Sequence, residues 1–143
     1  MNRASFIHSL VDGAGLAAIP KHWVKHYQKV YLLQCFVRGF RFTNGEALLG
    51  EMKEGTILQL VREPENEHDC FAIALHFNKE RIGYLPGESN EIMSSLLDSG
   101  IMELHSGITR LEPKARAWEN VHVGVYLLKE KYGTIRQRQS VSQ

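Results

Sequence analysis

The chain has 143 residues, 43% of them hydrophobic and 23% charged, with a formal net charge of +1. That length and balance predict one globular domain with its own core, and the near-zero charge excludes a molecule that is basic all over and binds polyanions indiscriminately. No apolar run approaches the ~18 residues of a membrane span, and the N-terminus lacks the basic and apolar regions of a secretory signal; the expectation is a cytoplasmic protein with no membrane contact.

The two cysteines, Cys35 and Cys70, both fall in apolar, strand-like segments. They read as buried thiols rather than as a disulfide or a metal site. Charge is unevenly placed. Residues 21–29 carry three lysines and no acid, residues 129–143 carry four basic side chains against one glutamate, and residues 63–69 carry four acids.

Taken in order, residues 1–30 form a predicted N-terminal helical extension. Asp12-Gly-Ala-Gly15 marks a break, and Pro20 suits the first turn of a helix running to about Lys29. On that helix Lys21, Lys25 and Lys29 share a face, while Trp23, Tyr27 and Val30 lie opposite. The lysines are candidate phosphate contacts, and the aromatic side is a candidate docking face for a protein partner. Residues 31–128 form the predicted body. Tyr31 to Val37 has no polar face and reads as a strand covered on both sides. Thr43-Asn-Gly-Glu46 is a turn, and Thr56 to Arg62 is the next strand.

The stretch from Leu60 to Leu75 reads as strand, tight acidic turn and strand, and Arg81 to Leu85 returns after the short connection Asn78-Lys-Glu80. Glu88 to Asp98 is a helix with acids in its first turn and Gly100 placed to end it. Ile101–Leu111 and Trp118–Leu128 supply the last strands, and residues 129–143 read as a polar tail. About six short strands with one internal helix predict a mainly β fold, a small OB-like or SH3-like barrel.

Few chemistries find support. No glycine-rich phosphate loop or Gly-x-Ser-x-Gly elbow occurs, and the cysteines lack metal-binding spacing. The acidic turn, with Glu63, Glu65, Glu67 and Asp69, offers hard oxygen ligands for a divalent cation, but alternating acids in a hairpin turn usually face water. His68 beside Asp69 could do general acid–base work, yet neighbours on an extended chain point apart. No catalytic residue, cofactor or metal is assigned.

Four strings carry a resemblance: Phe36-Val-Arg-Gly-Phe-Arg-Phe42, Leu60-Val-Arg-Glu-Pro-x-Asn-x-x-Asp69, Ala72-Ile73 and Ile82-Gly-Tyr-Leu-Pro86. Together they resemble the HIRAN domain, a module of helicase-like DNA-repair ATPases that also occurs alone in bacterial proteins. The resemblance spans roughly residues 31–128. It implies an OB-like barrel, non-enzymatic, that binds single-stranded DNA and captures free 3′ ends. By position, it implies that Arg41 and Phe42 meet a phosphate and the terminal base, that Asn66 and Asp69 hydrogen-bond the terminal sugar, that His68 contacts the last nucleotide, and that Tyr84 lies beside the DNA. This chain departs from the family where Phe42 and His68 replace tyrosines, where Phe71 replaces a frequent asparagine, and in its extra acids Glu65 and Glu67. The physics of an end is consistent with the implied roles. A chain interior is lined with phosphates that an acidic turn repels, whereas a terminal hydroxyl can donate to a carboxylate. The alternatives from other classes are a protein-interaction adaptor working through the Trp23–Tyr27 helix and a metal-dependent enzyme acting on nucleic acid at the acidic turn.

Overall fold

A computed structural model describes residues 26–131. Their order is β1 (His26–Phe36), a 3-10 turn (Phe40–Phe42), a short helix α1 (Gly45–Leu48) continuing into a second 3-10 turn (Leu49–Glu51), β2 (Ile57–Arg62), β3 (Ile73–Phe77), β4 (Glu80–Tyr84), helix α2 (Gly87–Ser99), β5 (His105–Leu111), a third 3-10 turn (Ala117–Glu119) and β6 (Val121–Lys131). Residues 28–129 form one compact unit; of the other unit, only His26, Tyr27, Glu130 and Lys131 are among the described residues.

The strands make one six-stranded sheet in the order β1-β6-β5-β2-β3-β4. β2 pairs antiparallel with β3 through Gln59↔His76 to Arg62↔Ile73 and with β5 through Ile57↔Gly107. β3–β4 and β5–β6 are hairpins, each interrupted by one bulge, at Leu75/His76 and at Ile108/Arg110. Asn78 and Lys79 both take positive φ (48° and 68°), the backbone that a two-residue hairpin turn requires. Alternation then sorts the side chains. Leu58, Ile73, Leu75, Ile82, Ile108, Val121, Val123 and Val125 enter a single core with Val37, Phe40, Leu85 and Met93. Met93 comes from α2, which ends at Gly100 in the left-handed conformation (φ 64°).

Four expectations are corrected here. The sheet is open rather than closed into a barrel. Its edge strands β1 and β4 are tied by one bridge, in which Arg38 and Tyr84 exchange N–H···O bonds of 2.9 Å. Beyond Arg38 the chain turns away into the Phe40–Phe42 turn, so no ladder can grow from that bridge. Gly83 makes even this contact feasible. A Cβ there would lie 2.3 Å from Val37 Cγ1 and 2.6 Å from the Arg38 carbonyl oxygen, at φ 152°.

The predicted helix to Lys29 is the second correction, because the described part of it is strand from His26 onward; residues 20–25 lie outside the described residues. β1 and its neighbour β6 are each 11 residues long, and pairing over that length overrides helix from His26 to Lys29. Third, β1 is not covered on both sides. It sits at the sheet edge, with Tyr31, Leu32 and Phe36 exposed. The predicted tail likewise begins as strand, since β6 runs through Lys131; residues 132–143 lie outside the described residues.

Candidate functional site

The acidic turn between β2 and β3 is built by its own side chains. Asn66 Oδ1 accepts the N–H groups of His68 (2.9 Å) and Asp69 (3.2 Å), and the Asn66 amide donates to Glu63 Oε1 (3.3 Å). Asp69 Oδ1 accepts the Phe71 N–H at 2.8 Å, closing a second turn of the same kind. Arg62 clamps the exit, donating to the carbonyls of Ala72 (2.7 Å) and Cys70 (3.2 Å) while its Nε pairs with Asp98 of α2 at 2.9 Å. Asn90, nearly buried in the first turns of α2, donates to Asp69 Oδ2 at 2.8 Å. The loop is therefore pinned to β2, to its own backbone and to the helix.

Those contacts set the charge of Asp69. The Asn90 hydrogen bond first, then the Phe71 N–H, with Arg62 and Arg38 adding their charge, hold its carboxyl below the usual carboxylate range against a smaller opposing effect of burial. Both oxygens are engaged within the fold. Each still has a free lone-pair direction.

Tyr84 links this loop to the sheet edge. Its hydroxyl donates to Glu63 Oε1 (2.9 Å) and accepts from Arg81 Nη1 (2.8 Å); burial and the Glu63 carboxylate raise its pKa. Across the bridge stands Arg38, an exposed residue whose Nη1 would lie 3.2 Å from a Cβ placed on Gly87, at the start of α2. Arg38 thus brings a cation toward Asp69 and to the first turn of α2. The sequence alone gives Arg38 no role, because its position depends on the bridge to Tyr84.

Arg41 and Phe42 occupy the 3-10 turn after β1. Thr43 anchors that turn, its one hydroxyl hydrogen lying between the carbonyls of Phe40 (2.7 Å) and, across on β4, Ile82 (3.0 Å). Phe42 is 81% exposed, with the Arg41 guanidinium 5.1 Å from its ring centroid. The neighbouring 3-10 turn before β6 repeats the arrangement, with Trp118 exposed and Arg116 5.3 Å from its ring. Trp118 was expected to begin a strand. An exposed tryptophan outside the strand's alternation is the signal that could have found it.

The structure accordingly joins Asn66, His68, Asp69 and Tyr84 through Glu63 in one hydrogen-bonded assembly, with the His68 side chain exposed, and separately ties the Arg41–Phe42 turn to Ile82 of β4 through Thr43. Lys29 is elsewhere, on β1 over the Tyr126 ring at 4.6 Å. Lys21 and Lys25 lie outside the described residues. Of the thiols, Cys35 is half-buried and pushed up to about 11 by burial, but Cys70 is exposed because it lies in the turn rather than in β3. Among the described residues no three His, Cys, Asp or Glu side chains gather as metal ligands, and no helix is long and apolar enough to cross a membrane.

The HIRAN domain model matches residues 30–129. The chain belongs to the HIRAN domain family. Its HIRAN match and the compact unit of residues 28–129 all but coincide. Two solved structures share the HIRAN fold seen here. A protein from Lactobacillus plantarum is similar with a TM-score of 0.61 and 24% identity, over 73% of this chain and 99% of that one. The HIRAN domain of human HLTF is similar with a TM-score of 0.54 and 18% identity, over 69% of this chain and 76% of that one. No curated protein matches the chain.

Proposed function

We propose that this HIRAN chain is a non-catalytic module that binds single-stranded DNA and takes hold of its free 3′ ends during DNA repair or processing. The observation that carries the reading is the Phe42 ring, exposed to 81% with Arg41 set over it, together with a rigid loop that presents His68 and Asp69. An aromatic face paired with a guanidinium accepts a base and its phosphate, and such stacking contributes roughly 1–3 kcal/mol per base. Asp69 supports an end rather than an interior. It is held ionised by Asn90 and the Phe71 N–H, so it repels a following phosphate, and a terminal hydroxyl can donate to a remaining lone pair.

The test is a titration of labelled oligonucleotides carrying either a free or a phosphorylated 3′ end. The free end is expected to bind at least about tenfold tighter, the weight of one charge-assisted hydrogen bond of roughly 1.5–3 kcal/mol. Equal affinities would dismiss end capture, and binding of neither at low salt would dismiss the DNA reading itself.

A further inference from the structure

The sheet face turned away from the core carries a second group of aromatic, histidine and cationic side chains, on β1, β6 and β5. Tyr31 lies 5.5 Å from Tyr126 at 63°, and Tyr126 lies 5.8 Å from His105 at 24°, so three rings cross three neighbouring strands. Lys29 Nζ stands 4.6 Å from the Tyr126 centroid. A second row follows along the strands. Phe36 is 4.0 Å from the His122 ring, and Arg110 Nη2 is 2.8 Å from His122 Nε2 while its Nε pairs with Glu112 at 3.1 Å.

The floor under the first row is shaped for it. A Cβ on Gly124 would lie 2.5 Å from Tyr31 Cε1 and 3.1 Å from Thr109 Cγ2, so only glycine lets the tyrosine ring lie down against the sheet. Tyr126 is buried beneath, and Tyr31 and Phe36 keep 43% and 39% of their surface open. Edge strands usually carry charge or proline to discourage contacts. This one instead holds two ring faces in fixed positions, with a cation near each row.

We propose that this face is a second contact surface for single-stranded nucleic acid, with bases stacking on Tyr31 and Phe36 and phosphates meeting Lys29 and Arg110. The inference rests on the nucleic-acid reading above and extends it. Rings spaced along a strand with a cation beside each row suit the bases and phosphates of a single strand. Tyr31 lies over Gly124 and Phe36 over His122, two residues apart on β6, so the rings are separate stations along the sheet rather than one stacked pair. Phe36 is also the nearer of the two in sequence to the Arg41–Phe42 turn.

The test compares oligothymidines of about four and about fifteen nucleotides, lengths that bracket the footprint of one small β module, on the full chain. The longer one is expected to bind wild type more tightly. Tyr31→Ser combined with Phe36→Ser is expected to weaken the longer by at least about fivefold per ring and to leave the shorter within about twofold, whereas Phe42→Ala weakens both. If the double variant binds the longer oligonucleotide as wild type does while Phe42→Ala weakens it, this surface is refuted and the proposed function stands. Should wild type bind neither, both readings fall together. Photocrosslinking of unaltered protein to an oligonucleotide carrying 5-iodouridine avoids any folding defect of the variants. Adducts on Tyr31 or Phe36 are expected; adducts confined to the Phe42 and His68 region, as a protein-docking role for this face would give, overturn the inference.

Discussion

At Asp69 one carboxylate oxygen holds the Phe71 N–H and the other holds the Asn90 amide, so a residue assigned to ligand chemistry also keeps the loop in shape. The two duties separate by pH. Its folded pKa is depressed, so its contribution to stability is fully present above the ordinary aspartate value near 4 and is lost as pH falls through the lower folded value. Asp69→Asn is therefore expected to melt below wild type at neutral pH, with the gap closing in melts taken toward pH 3. A gap that stays constant over that range would mean that the charge adds nothing to the fold. Tyr84→Phe probes the other end of the assembly. Removing the hydroxyl leaves Glu63 and Arg81 without their shared partner and is expected to cost roughly 1 kcal/mol in denaturant unfolding. The local half of this site was legible in the sequence, because Asn66 and Asp69 bond backbone two or three residues away. Asn90 and Arg38 were not. Their roles depend on where α2 and the bridge to Tyr84 bring distant segments, and no local spacing encodes that.

Among the elements, β2 to α2 follow their hydrophobic alternation and turn residues closely, and their bounds shift by only a few residues from expectation. β1 did not follow, for two reasons that can be named. Its apolar run implies burial on both faces, whereas an edge strand has a neighbour on one side alone. The helix expected to reach Lys29 gives way from His26 onward to strand, where β6 offers a partner of equal length. Barrel closure was equally out of reach, since whether the edges meet turns on one approach, that of Val37 and Arg38 to Gly83. That approach gives the element-scale prediction. Gly83→Ala drives a methyl into Val37 Cγ1 and the Arg38 carbonyl, and is expected to destabilise by roughly 1–3 kcal/mol, as overpacking does. Because the bridge also positions Arg38 beside Asp69, the same variant is expected to bind DNA more weakly at a temperature where it remains folded. Unchanged unfolding would show that the bridge bends aside freely.

For the molecule as a whole, a net charge of +1 gives no general attraction for a polyanion, so affinity must come from cations that the fold leaves available. The arginines divide accordingly. Arg62 is committed to Asp98 and two carbonyls, and Arg81 to Tyr84, whereas Arg41 and Arg116 stand over exposed rings and Arg38 faces the start of α2. With those three meeting phosphates, the logarithm of the binding constant for an oligonucleotide of about four nucleotides should fall with the logarithm of salt at a slope of about −2, taking about 0.7 per phosphate on a single strand. Arg41→Ala is expected to bring the slope to about −1.4. Arg62→Ala is expected to lower the melting temperature and leave the slope as it was. This contrast distinguishes a cation that grips ligand from one that braces the loop. A slope near zero, or one that Arg62→Ala changes and Arg41→Ala does not, would place the binding surface somewhere other than the Arg41–Phe42 turn.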